Sequence, residues 1–130
     1  MELVRPLSTA ARAVLAGFTR TGHADLVFQQ DRCKVVSNLA LMKRTFDQAC
    51  GVQNWVLHDL RRTARSLMSR AHVPDNHAEQ CLGHVIPGMR GVYDRHKYQP
   101  EMLHAYEALA ALIANIVSPP DAKVVSLHGE

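Results

Sequence analysis

Several features that mark particular protein classes are scarce in this 130-residue sequence. Aromatic residues make up only 5% of it, so a core has to come mainly from aliphatic and methionine side chains. Glycine (7 residues) and proline (6 residues) are few, and β-branched residues seldom occur in runs. Because these residue types interrupt or disfavour helices, their scarcity predicts a mainly α fold.

Long apolar runs are also lacking. No segment approaches the roughly 20 apolar residues of a membrane span, and the N-terminal "MELVRPLST" lacks the apolar stretch of a signal peptide. The three cysteines, Cys33, Cys50 and Cys81, form no CxxC pair, which is typical of reduced thiols. We therefore expect a soluble, cytoplasmic protein with no membrane partner.

A metal site is not indicated either. The histidines outside the motifs discussed below fit no HExxH or Cys/His ligand pattern, so surface positions are their default interpretation. They are His72, His77, His96 and His104. We expect no metal and no other cofactor.

What the sequence does contain suits one domain. Apolar residues make up 47% of the chain, enough for a core at this length. The net charge of +3 is by itself weak evidence for a nucleic-acid partner. We expect a domain over residues 1–117 and a flexible tail over 118–130.

Capping residues and helical spacing predict the elements. "ELVRPLS" is predicted to be a short extended segment, because Pro6 disfavours helix at Arg5. The predicted helices run from Ser8 or Thr9 to about Thr19, from Ser37 or Asn38 to about Cys50, from about His58 to about Ala71, from Pro74 to about Leu82, and from about Glu101 to Val117. Gly51 is predicted to end the second of them.

The third predicted helix divides into two faces at 100° per residue. Its expected core face comprises Leu60, Ala64, Leu67, Met68 and Ala71. The adjoining basic face comprises His58, Arg61, Arg62, Arg65 and Ser69. A solvated helix face is one interpretation of this basic cluster, and an anion-binding site is the other.

Four groups favour the anion-binding site. His58 and Arg61 stand three residues apart and share a helix face. His84 follows a glycine in "CLGH", and Tyr93 comes nine residues later, beyond a glycine-rich loop. Guanidinium groups neutralise phosphate oxygens, histidines donate or move protons, and a tyrosine hydroxyl is a candidate nucleophile. Together they indicate phosphoryl transfer without a metal.

"HDLRRTARSLM", "CLGH" and "GVYDRHKY" resemble the C-terminal half of the catalytic domain of tyrosine recombinases, particularly phage integrases. "VRPLSTAARAVL" resembles the strand-to-helix element of the same family. The order and spacing match over about residues 3–115, with 23 residues from Arg61 to His84. The resemblance implies a truncated form of the family's α+β fold, a helical bundle with a small N-terminal strand remnant.

The resemblance also implies roles. Tyr93 would attack a scissile phosphate of double-stranded DNA, forming a 3′-phosphotyrosine and releasing a 5′-hydroxyl. Arg61 and His84 would bind the non-bridging oxygens, and His58 would support the phosphate or assist proton transfer. Arg62 and Arg65 are expected to contact the DNA backbone. The reaction would be site-specific recombination or integration, with no cofactor.

Two groups of the family pattern have no match. The family has a further arginine and a lysine upstream of its Pro-Leu-Ser element, and this sequence has five residues before Pro6. We expect a C-terminal part of an integrase that is nearly inactive alone, because each lost electrostatic donor costs about 10²–10³ in rate. The final helix is unusually apolar, which favours a core position. The resemblance implies that the C-terminal segment can also dock on a neighbouring subunit, so a homo-oligomer through this helix is an open expectation.

Two alternatives remain. The segment from Arg62 to His84 also fits a non-catalytic helix-turn-helix DNA-binding protein, and the chain also fits an inactive prophage remnant. Two other tyrosines compete with Tyr93 for the nucleophile role. Tyr98 misses the family spacing, being fourteen residues from His84, and Tyr106 falls on an apolar stripe and is predicted to be core.

Overall fold

The computed structural model describes residues 4–18, 27–30, 34–84 and 98–120. These ranges are mainly helical, as the composition predicts. They contain five helices, namely α1 (Thr9–Ala16), α2 (Leu39–Cys50), α3 (Leu57–Arg70), α4 (Asp75–Leu82) and α5 (Gln99–Val117).

Local sequence signals fix several helix ends. The Ser8 hydroxyl accepts a hydrogen bond from the Ala11 amide (3.2 Å), and the Asn38 side chain accepts one from the Leu41 amide (2.9 Å). Both bonds satisfy amides that have no partner within the helix. Gly51 ends α2 in the left-handed conformation, at φ 69°. These caps were predicted correctly, whereas α1 ends before the expected Thr19.

The core lies where α3, α4 and α5 meet. Its buried side chains come from all three helices and from the turn between α3 and α4, and they are Met68, Val73, Ala78, Cys81, Met102 and Ala105. His72 makes the tight turn at φ 57°, and the Val73 amide then donates to the Met68 carbonyl (3.0 Å). This turn lets α4 fold back against α3 after only four residues.

The N-terminus of α1 is held to α5 by the carboxylate of Glu107. A carboxylate oxygen of Glu107 accepts from the amide (2.6 Å) and the hydroxyl (2.8 Å) of Thr9. Those two bonds lower the pKa of Glu107, the backbone bond being the larger cause. An anion in this position also complements the positive end of the helix dipole.

Helix α2 does not belong to this core. No other described helix packs its backbone against α2, and its apolar side chains are exposed, with Met42 at 55% and Phe46 at 56%. The Phe46 ring meets the Trp55 ring edge-on, with centroids 6.0 Å apart. Leu60 of α3, predicted to be core, is 59% exposed at this side of the molecule. That prediction was wrong, because the neighbouring α2 leaves Leu60 uncovered.

The N-terminal strand is not confirmed. Val4 to Ser8 form no strand pairing with any described residue. Pro6 has no amide hydrogen to donate to a strand ladder. Arg5 instead contacts the rest of the protein through its side chain, which donates to the Cys81 carbonyl. The described strand pairing is the two-residue antiparallel ladder of Gln29–Gln30 with Lys34–Val35.

Helix α5 ends at Val117, where the sequence predicted the end of the last helix. The domain boundary at that residue stays a prediction. Residues 121–130, most of the predicted tail, lie outside the described residues. The flexibility of the tail therefore stays a prediction.

Candidate functional site

The candidate site is built around the C-terminal end of α4. Gly83 adopts φ 72°, a conformation that is strained for residues with a Cβ. The chain then turns back, so that the Gly83 amide donates to the Gln80 carbonyl and the His84 amide to the Glu79 carbonyl, both at 3.0 Å. This closing turn places His84 directly over the last turn of α4.

Arg61 reaches the same helix end from α3. Its Nη2 donates to the Leu82 carbonyl oxygen at 2.6 Å, and the side chain is partly buried there. A cation at a helix C-terminus is favoured by the partial negative charge of the unpaired carbonyls. The bond holds the Arg61 guanidinium at the Leu82 carbonyl, two residues before His84 in the sequence. The two groups that the family resemblance assigns to phosphate oxygens therefore both lie at the C-terminal end of α4.

A carboxylate connects His84 to a second arginine. His84 Nδ1 is hydrogen-bonded to Oε2 of Glu79, while Oε1 of Glu79 accepts from Arg65 Nε at 2.9 Å. The bond with His84, and then the bond with Arg65, hold the pKa of Glu79 below its usual value. Glu79 is therefore ionised at neutral pH, with both of its oxygens engaged.

Arg65 is engaged on three sides within the chain. Besides Glu79, it donates from Nη1 to the Ser69 hydroxyl (2.6 Å) and from Nη2 to the Asp75 carboxylate (2.8 Å). Hydrogen bonds to Glu79 and then Asp75 raise the pKa of Arg65. The structure gives Arg65 the geometry of a brace between α3 and α4. Its DNA contact stays a prediction.

The two remaining basic-face residues lie nearer to solvent. Arg62 is 71% exposed and pairs with Asp59 (2.8 Å). Asp59 also accepts from the Val56 amide (2.9 Å), and this backbone bond, followed by the Arg62 bond, lowers its pKa. His58 is exposed one turn ahead of Arg61 on the same face of α3. Both side chains are accessible to a ligand that approaches this face.

Tyr93, the predicted nucleophile, lies outside the described residues, as does the rest of 85–97. The rival Tyr106 is part of the packing around the core, as predicted. Its hydroxyl donates to the Cys81 carbonyl (2.8 Å), and burial raises its pKa to about 12. A hydroxyl that is tied to the backbone and hard to ionise is a poor nucleophile.

Sequence reasoning missed two residues of this site. Arg5 donates from Nε to the Cys81 carbonyl (2.8 Å), next to the carbonyl that Arg61 binds. Glu79 was given no role from the sequence. Its position five residues before His84, across the Gly83 turn, was the available signal for Glu79. Arg5 had no such signal, since its contact joins residues far apart in sequence.

The described residues contain no cluster of three or more His, Cys, Asp or Glu side chains that could hold a metal ion. Within the same residues, no helix has the length and apolarity needed to cross a membrane.

The chain was also compared with known proteins. No family model, no curated protein and no solved structure matches it.

Proposed function

We propose that this chain acts on double-stranded DNA as a tyrosine-type site-specific recombinase, with the helical part of that family's catalytic fold. The observation that carries the proposal is that Arg61 and His84 both lie at the C-terminal end of α4. A guanidinium and an imidazole at one helix end can contact two oxygens of one phosphate.

The proposed reaction needs a nucleophile and stabilisation of a crowded, negatively charged phosphorus centre. Tyr93 forms the bond to phosphorus, and the DNA 5′-oxygen leaves. Arg61 and His84 neutralise the charge on the non-bridging oxygens. Attack by a 5′-hydroxyl on the phosphotyrosine reverses the step and completes strand exchange. Because DNA is the substrate, we also propose a cytoplasmic location.

Activity of this chain alone is expected to be low. The family's additional arginine and lysine have no counterparts at the matching positions, and each lost donor costs about 10²–10³ in rate. A self-associated form through α5 also stays a prediction. Ile113 and Ile116 near the end of that helix are 41% and 48% exposed.

A substrate with a better leaving group tests the chemistry despite this low activity. Duplexes of random sequence are synthesised with a bridging 5′-sulfur at one phosphate. Attack by Tyr93 then forms the O–P bond and breaks the P–S bond, and the thiolate leaves without needing a proton. We expect a covalent adduct mapped to Tyr93 by mass spectrometry. Tyr93→Phe abolishes it, and Tyr98→Phe retains it.

Arg61→Ala should reduce adduct formation by about 10²–10³. Arg70→Ala is the matched control, since it removes an equal charge from an exposed position of the same helix. Absence of any adduct in the unsubstituted chain, or an adduct that survives Tyr93→Phe, would contradict the proposal.

A helix-turn-helix binder is the alternative that the short connection between α3 and α4 supports. Its second helix would present Asp75 and Glu79 near DNA phosphates, which is electrostatically unfavourable. Salt-sensitive duplex binding without an adduct, unchanged in Tyr93→Phe, would favour this alternative.

A further inference from the structure

The hydrogen bond between Glu79 and His84 constrains where the imidazole carries its proton. An ionised carboxylate can only accept hydrogen bonds. The lowered pKa of Glu79 keeps it ionised at neutral pH. His84 Nδ1, which contacts Oε2 of Glu79, must therefore be the donor. In the neutral ring this leaves Nε2 without a proton, and in the cationic ring Nε2 carries one.

The other carboxylate oxygen of Glu79 is held by an arginine of α3. Oε1 of Glu79 accepts from Arg65 Nε (2.9 Å), and Arg65 is itself held by Asp75 (2.8 Å). The carboxylate is thus oriented by α3 while it orients a ring at the end of α4. An imidazole held at Nδ1 in this way presents only Nε2 to a ligand.

The polar groups at the end of α4 come from several elements. They are Glu79 on α4, Arg61 and Arg65 on α3, Arg5 on the N-terminal segment and the neutral Tyr106 hydroxyl on α5. Glu79 is the anionic group in this set, and its carboxylate contacts the His84 ring.

We propose that Glu79 is a positioning residue, which fixes the His84 tautomer and reserves Nε2 for an oxygen of a phosphodiester. This inference rests on the proposed function for the identity of the ligand. The cationic ring donates Nδ1–H to Glu79 and Nε2–H to a phosphate oxygen, which carries no proton and can only accept. The proton on Nδ1 stays in place in the neutral ring as well.

The substitution Glu79→Gln tests the tautomer with little change in shape. Arg65 donates to the carbonyl oxygen of the new amide, as it does to Oε1 of Glu79. The amide NH2 then faces His84 Nδ1, which can no longer donate to it and must accept. The proton of the neutral ring is therefore driven to Nε2.

The readout is the ¹⁵N spectrum of the histidine ring nitrogens in the full chain, without DNA, at a pH where the ring is neutral. His84→Gln identifies the signal among the eight histidines. We expect the Nδ1–H form in the unsubstituted chain and the Nε2–H form in Glu79→Gln. Asp75→Asn is the matched control, because it removes the other carboxylate on Arg65 without touching His84, and it should keep the Nδ1–H form.

The adduct assay gives the functional readout. Glu79→Gln should slow Tyr93 adduct formation on the order of 10²-fold, because an amide NH2 that faces Nδ1 disfavours the doubly protonated ring that donates to the phosphate, while Asp75→Asn should stay within about 2-fold. Circular dichroism melting confirms that both variants fold.

The two measurements separate this inference from the proposed function. An unchanged ¹⁵N spectrum in Glu79→Gln overturns the positioning role, whatever the chain does to DNA. A changed spectrum with no loss of adduct overturns the link between Glu79 and phosphate binding by His84. If the spectrum changes and the unsubstituted chain forms no adduct at all, the tautomer role stands and the recombinase proposal fails.

Discussion

Two regions of this protein both contain amphipathic helices, but only one of them buries its apolar side chains. In the three-helix core, formed by α3, α4 and α5, the side chain of Met68 is 1% exposed. In the α2 region, residues 39–56, Met42 is 55% exposed, although it also stands on the apolar side of its helix. The difference teaches that an apolar stripe predicts a helix, while burial depends on a second surface that covers it.

The two regions are also held together differently. The core is closed by contacts between distant parts of the chain, such as Tyr106 to Cys81 and Arg61 to Leu82. The α2 region is stabilised by neighbours in sequence, including the Asn38 cap and the Lys43–Asp47 ion pair (2.6 Å). Local contacts of this kind each contribute little, about 0.3–1 kcal/mol.

A matched pair of methionine truncations gives the largest expected contrast. Met68→Ala should lower the free energy of unfolding by about 2–5 kcal/mol, because it leaves a cavity between three helices. Met42→Ala should change it by less than about 0.5 kcal/mol, as is usual for an exposed position. Urea denaturation followed by circular dichroism measures both. Equal losses at the two positions would mean that the α2 region is buried in solution.

A second pair concerns the left-handed glycines that end α2 and α4. Gly51→Ala and Gly83→Ala each place a Cβ at positive φ, 69° and 72° respectively, which costs about 1–2 kcal/mol. We expect Gly83→Ala to lower global stability, because its turn is part of the site and core. Gly51→Ala should instead open the end of α2 locally.

Native-state hydrogen exchange distinguishes these outcomes. Faster exchange confined to the amides at the end of α2 is expected for Gly51→Ala, with little change in the global unfolding midpoint. Gly83→Ala should accelerate exchange in α3 and α5 as well. A global effect of Gly51→Ala would show that the two regions unfold as one unit.

The same contrast explains what the sequence could predict. Caps such as Ser8, Asn38 and Gly51 were found because their chemistry is complete within a few residues. The burial of Leu60 was predicted wrongly, because it depends on how α2 lies relative to α3. The periodicity of the sequence carries no information about that arrangement.

The candidate site divides in the same way. The family resemblance and the spacing of the motifs assigned Arg61 and His84 to one site, and both residues lie at the end of α4. Arg5 and Glu79 were missed because their roles depend on where the chain places the end of α4. From residue type alone, both would be read as ordinary surface charges. The hydrogen bonds of Arg5 to Cys81 and of Glu79 to His84 show that they belong to the site.

The smallest expected effect concerns how stability depends on pH through Glu79, which joins α4 to α3. The pKa of Glu79 is lowered in the folded chain, so the unfolded state binds a proton more readily. The stabilisation from Glu79 is therefore fully present above its ordinary pKa of 4.5 and is lost as the pH falls through the lower folded value. Because Glu79 is 32% exposed, solvent screening keeps this contribution modest.

Chemical denaturation across this acidic range tests the sign. The unsubstituted chain should lose stability as the pH falls below 4.5, and Glu79→Gln should have a shallower dependence, because its amide does not titrate. Asp59 and Glu107 also have lowered pKa values, so the variant keeps a residual slope. Identical slopes in both chains would mean that Glu79 is equally easy to protonate folded and unfolded. The carboxylate would then interact too weakly with Arg65 and His84 to brace α4 against α3.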